Sequence, residues 1–135
     1  MWTIVILVAL AVAALFVVGI YNRLVALRQT CRQGAADIDA QLRQRHDLVP
    51  NLVATVKGYA THEKSTLDSV IEARNAAAAR PSSESEAQFK LALDRLLALS
   101  EAYPDLKANA NFQALQGELA DIEDKLAAAR RALNA

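Results

Sequence analysis

The sequence predicts an all-α protein: an N-terminal transmembrane helix continuing into an antiparallel bundle of three to four long helices. Three observations carry that expectation. Ala and Leu supply 47 of the 135 residues, against 4 Gly, 3 Pro and 7 aromatics, a composition that favours helix and offers little strand material. Residues 1–22 contain no charged side chain. Beyond them, apolar residues recur at steps of three and four, the period of one helix face.

The first element runs from Trp2 to Tyr21 as a nearly continuous apolar stretch with Phe16 inside it. Twenty residues at a rise of about 1.5 Å span roughly 30 Å, the thickness of a bilayer core. Trp2 and Tyr21 stand at the two ends, where interfacial aromatics belong. A cleaved signal sequence would need a positive start, a shorter apolar run and a small-residue cleavage site after it. Here the first cation is Arg23, and the small-residue triplet Ala11–Ala13 lies inside the run. A retained anchor is therefore expected over residues 1–22, with a bundle domain over residues 23–135. Arg23, Arg28 and Arg32 precede the first acid, Asp37. The positive-inside rule then places the bundle in the cytoplasm and the N-terminus outside.

The helix is expected to leave the membrane without a break, because no Gly/Pro/Ser cluster follows the anchor. Its apolar beat reads Leu24, Leu27, Cys31, Ala35, Ile38, Leu42, Arg45, Val49, Leu52, Val56, Tyr59, with Arg45 as a polar interruption. Cys31 reads as a buried small hydrophobe in that seam. Pro50 removes a backbone donor and crowds the preceding turn. A kink is favoured because the beat continues across it; the alternative is a break with Asp47 capping a new helix. Arg45, His46, Asp47 and Asn51 are expected to form a polar knot around Pro50 that satisfies the freed carbonyl. The same group is a candidate partner-binding site.

Helix resumes through Leu67, Val70, Ile71 and Arg74 and fades in Ala76–Ala79. Arg80–Glu86 reads as a loop, with Ser83 and Glu86 as a capping box for the next helix. That helix carries Phe89, Leu93, Leu96, Leu97 and Leu99 and ends near Tyr103–Pro104. After a short connection, Asn109 or Asn111 caps the last helix. Its seam is Phe112, Leu115, Leu119, Ile122, Leu126, Ala129 and Leu133.

Several function classes are excluded or disfavoured. Fifteen Lys/Arg balance fifteen Asp/Glu, which argues against nucleic acid as a partner. One cysteine excludes an internal disulfide and a multi-Cys zinc site. His46 and His62 are 16 positions apart, about 160° around an ideal helix, so they do not share a face. No metal-ligand spacing, glycine-rich phosphate loop or nucleophile with a paired base occurs. No catalytic residue, cofactor, metal or small-molecule substrate is expected. Residues 23–80 carry nine cationic and six acidic side chains, and residues 81–135 six and nine. That asymmetry fits a basic arm packed on an acidic hairpin, complementary ends in a homo-oligomer, or solvated faces with an incidental bias.

The motifs YNRLVALR (Tyr21–Arg28), IDAQLRQRHDLVPNLV (Ile38–Val53), VKGYATHE (Val56–Glu63), EAR (Glu72–Arg74) and SEAYPDLKANANFQALQGEL (Ser100–Leu119) resemble the LemA family of bacterial membrane-anchored proteins. The likeness covers essentially the whole chain. It implies a single membrane helix, a short outside tail and a cytoplasmic long-helix bundle in the bacterial inner membrane, but no reaction. Some relatives are associated with magnetosome membranes, and others are encoded near membrane proteins and proteases. The family's last helix usually reads ARRxYN and continues for several turns. Here it reads ARRALNA, with Leu133 at the Tyr position, so either the chain is truncated within its final helix or this member lacks the final segment.

Two functions follow as expectations. The first is a non-catalytic scaffold that self-associates at the cytoplasmic membrane face, shaping membrane or organising partners. The second is an adaptor or sensor that presents a helical surface to another membrane protein or a protease.

Overall fold

The computed structural model describes residues 1–134, all of them helical or in turns between helices. Helix α1 runs from Trp2 to Lys57, 56 residues without interruption. Then come α2 (Lys64–Ala79), α3 (Ser83–Ala98), a 3₁₀ turn at Leu99–Glu101, the one-turn α4 (Pro104–Lys107) and α5 (Ala110–Asn134). No strand occurs among the described residues.

Helix α1 is half rod and half bundle member. Residues 1–33 are exposed all round, and burial begins at Gly34. From there α5 runs back along α1, while α2 and α3 pair with each other and cover a second side of α1. Four contacts fix the α1–α5 register. Leu133 lies against Gly34, Glu123 bonds Arg45, Asn111 bonds Thr55, and Asn109 bonds Tyr59. Gly34 lets Leu133 lie close, since a Cβ there would stand 2.9 Å from the end of the Leu133 side chain, which would have to shift.

The single seam expected on α1 is two adjacent stripes. The line facing α5 passes through Gly34, Arg45, Thr55 and Tyr59, in strict steps of three and four with Ile38, Gln41, Leu48 and Leu52 between them. Leu42 turns toward the α2–α3 connection, and Val49 and Val56 are buried in the core. A helix flanked by two partners buries a wider stripe than a two-stranded seam, so the apolar beat drifts between lines. Ile38 and Leu42 are half-buried, and Val49, Leu52 and Val56 are buried. Phe112, Leu115, Leu119, Ile122 and Leu126 of α5 are buried beneath them, whereas Leu133 is 39 % exposed. Cys31 is exposed, contrary to its reading as a buried small hydrophobe. The described part of α5 reaches to the level of Gly34, and among the described residues none lies over Cys31, Leu27 or Leu24.

Local chemistry explains the remaining ends. Helix α1 continues through Pro50 without the break that Asp47 could have capped. Helix α3 starts one residue earlier than the Ser83–Glu86 box would place it. Ser82 is its N-cap and accepts from the Ser85 amide, and Ser85 Oγ accepts from the Ser82 amide. Glu86 is free of that task and is buried. The connection before α5 is itself a helical turn. Pro104 opens it at N1, where no amide is needed, and Leu106 plugs the core with no exposed surface. Asn109 Oδ1 accepts from the Phe112 amide at 2.9 Å and caps α5.

Ile122 is 1 % exposed and central to the α5 seam. Ile122→Asp is expected to lower stability by several kcal/mol, because an unpaired carboxylate would replace an alkyl group in the core. An unchanged melting temperature would show that this seam is not closed in solution.

Candidate functional site

The polar interruption in α1 is the centre of a buried ion cluster. Arg45, 2 % exposed, sends Nη2 to Glu86 Oε2 of α3 at 2.7 Å and Nη1 to Glu123 Oε1 of α5 at 2.6 Å. One guanidinium therefore joins three helices through separate donors of its planar fork. Its Cζ also lies 5.2 Å from the centre of the Phe89 ring, within cation–π range. His46 stacks on the same ring, centroid to centroid 5.0 Å at 17°. Its Nε2 lies 3.0 Å from Glu86 Oε1, but out of alignment for a hydrogen bond. Charge pairing, stacking and burial thus converge on Phe89 and Glu86.

The carbonyl freed by Pro50 has its own solution. Residue 50 lacks the amide that would bond the carbonyl of His46, four residues back. Arg74 of α2 supplies the donor: its Nε reaches His46 O at 3.3 Å. The knot expected around Pro50 therefore divides. Arg45 and His46 are buried, whereas Asp47, Pro50 and Asn51 are exposed. A cleft of about 370 Å³ opens beside the inward group, lined by Asp39, Arg43, Asp47, Arg74 and Pro81 among others.

Sequence reasoning missed Arg74, Glu86, Phe89 and Glu123 as members of this cluster. A signal was present for one of them. Glu86 lies in helical phase with Phe89, Leu93 and Leu96, so a carboxylate occupies an apolar face of α3 just as Arg45 occupies an apolar face of α1. Opposite charges interrupting two seams are expected to find each other when the seams pack.

Trp2, Phe16, Tyr21, Arg23 and Arg28 lie on the exposed part of α1. His62 is exposed in the turn between α1 and α2, far along the chain from His46. No group of three or more His, Cys, Asp or Glu side chains able to hold a metal occurs among the described residues. At the distal end, Tyr103 donates to Glu63 Oε1 at 3.2 Å. Partial burial and the neighbouring Glu63 carboxylate raise the Tyr103 pKa above its ordinary value.

The architecture defines a class: an all-α bundle hung on one N-terminal helix long and apolar enough to cross a membrane. The chain belongs to the LemA family, whose family model matches residues 34–135. The match begins at Gly34, the residue where α5 first covers α1. No curated protein matches the chain.

Two outcomes test the cluster. Arg74→Ala is expected to cost about 1–2 kcal/mol by leaving the His46 carbonyl without a donor. In a Pro50→Ala background, where residue 50 regains its amide, the same change should cost clearly less. A thermodynamic double-mutant cycle with no coupling would refute the bridging role of Arg74. Glu86→Ala strands a buried guanidinium and is expected to cost about 3–5 kcal/mol. Replacing the pair together, Arg45→Met with Glu86→Leu, should recover much of that loss in urea denaturation.

Proposed function

We propose that this protein is a membrane-anchored, non-catalytic scaffold of the bacterial inner membrane that self-associates through its helices. In this reading the apolar part of α1 spans the bilayer, the N-terminus lies outside and the bundle stands in the cytoplasm. The continuity of α1 carries the proposal. A single helix runs from the apolar segment into the bundle core, and the carbonyl that Pro50 would have orphaned is held by Arg74. A rod of that kind transmits the position and tilt of the membrane segment to the bundle. A freely jointed domain would not.

A candidate self-association surface is the line of α1 side chains through Leu24, Leu27 and Cys31, which are exposed among the described residues. Leu24, Leu27 and Cys31 continue, in strict steps of three and four, the line that α5 covers from Gly34 onward. Anchoring in a bilayer raises the effective concentration of such faces, so modest contacts suffice for assembly. Arg23 and Arg28 flank the line, and two parallel copies would place these cations near each other. Anionic headgroups at that depth would relieve the repulsion.

An adaptor or sensor role is the second reading. The exposed side chains of Asp47, Pro50 and Asn51 and the cleft beside His46 favour it. One measurement separates the two. The mass of the intact chain, extracted in mild detergent and read by light scattering on a sizing column, should be a uniform multiple of 14.6 kDa after subtracting detergent. Oxidative cross-linking through native Cys31 should trap dimers in membranes. A monomer that does not cross-link would overturn the scaffold and leave the adaptor.

A further inference from the structure

The antiparallel course of α5 redistributes charge along the molecule. The α5 arginines at 130 and 131 lie near the level of Gly34, the part of the bundle closest to the apolar segment. Residues 22–43 of α1 with residues 125–134 of α5 carry seven Lys/Arg against two Asp/Glu, a net +5. Residues 44–124 carry eight against thirteen, a net −5. The two halves of the sequence differ far less, because the last helix returns its cations to the first. A neutral chain has therefore folded into an axial dipole whose positive end adjoins the apolar helix.

The geometry favours surface contact for the positive end. Arg23 follows Tyr21 by two residues, and Arg28 and Arg32 lie about 10 and 16 Å along the helix from Tyr21. The headgroup layer is roughly 5–7 Å thick on each side of the hydrocarbon. Side chains on a helix lean toward its N-terminus, so Arg28 and Arg32 lean toward the apolar segment. All three arginines are exposed, as are Arg130 and Arg131. Salt bridges bind none of the five among the described residues. The described end of α5 stands about 20 Å along α1 from Tyr21, a separation over which screening leaves Arg130 and Arg131 a weaker share.

We infer that this collar selects anionic phospholipid headgroups around the anchor, with Arg23 and Arg28 in contact and Arg32, Arg130 and Arg131 extending the attractive field. The inference rests on the proposed membrane insertion of α1, but not on self-association. Each arginine near an anionic surface contributes about fivefold in affinity.

The test uses the full chain reconstituted in phosphatidylcholine bilayers containing spin-labelled phosphatidylglycerol or phosphatidylcholine as the probe. Insertion is checked first by flotation and resistance to alkaline extraction, and oligomer mass is measured on the same samples. The expected result is at least fivefold selection of phosphatidylglycerol at low salt, collapsing toward unity in 0.5 M salt, as screening requires. Arg23→Gln with Arg28→Gln, insertion being verified as for the wild type, should remove most of the selection. Arg130→Glu with Arg131→Glu should reduce it less, with helicity and melting unchanged. An inserted wild-type chain that shows no selection, or full selection that survives loss of both Arg23 and Arg28, would overturn the inference. Failure to insert would instead sink the anchored reading, and a change in oligomer mass alone would leave lipid selection standing.

Discussion

Arg45 sets the register of the bundle. The rest of the core is Leu, Ala, Val, Ile and Phe on helices of similar period, and such faces pack nearly as well after a slip of one repeat. A buried guanidinium does not tolerate a slip. It must meet Glu86 on α3 and Glu123 on α5 at once, because an unpaired buried charge costs several kcal/mol. Replacing such a cluster by apolar groups often loses little stability, whereas breaking one partner away strands the other charge. Phe89 supports this by presenting its ring to both Arg45 and His46.

The register fixed there propagates in both directions. Toward the distal end it places Asn111 at Thr55 and Asn109 at Tyr59, and it brings Leu106 over the core. Toward the apolar segment it brings Leu133 to Gly34 and leaves the line through Cys31, Leu27 and Leu24 uncovered. Helix α1 transmits this only because it is unbroken. Proline in mid-helix ordinarily costs about 3 kcal/mol, and part of that cost is the orphaned carbonyl. Arg74 meets the orphan from outside the helix, so a residue of α2 maintains a property of α1.

Much of this was legible in the sequence. Composition and period gave the all-α class, the uncharged first 22 residues gave the apolar helix, and Asn109 was one of two candidate caps. What was not legible depends on partners. Whether Val49 and Leu52 face one neighbour or two is decided by how many helices surround α1, and the beat of a single strand of sequence carries no such count. Ser82 and Ser83 are adjacent hydroxyls, each followed three residues later by a plausible partner. Glu86 left the cap because Arg45 needed it in the core. His46 and Asp47 are neighbours in sequence, yet about 100° of helical rotation separates burial from exposure. The Arg74–His46 bridge joins residues 28 positions apart, and only the folded hairpin brings them together.

Rigidity and charge act on the same object. In the proposed anchored reading, α1 is one rod, so a lean of the membrane segment by about 20°, typical of transmembrane helices, would be a lean of the whole bundle. A flexible stalk would let the bundle rotate about the linker; an unbroken helix would not. Orientation would then decide whether the Leu24–Cys31 lines of two copies can meet side by side. A parallel meeting would also need Arg23 and Arg28 neutralised, which anionic headgroups would accomplish at the same depth. Membrane composition and assembly would thereby be coupled through a few arginines, without any moving part in the bundle itself.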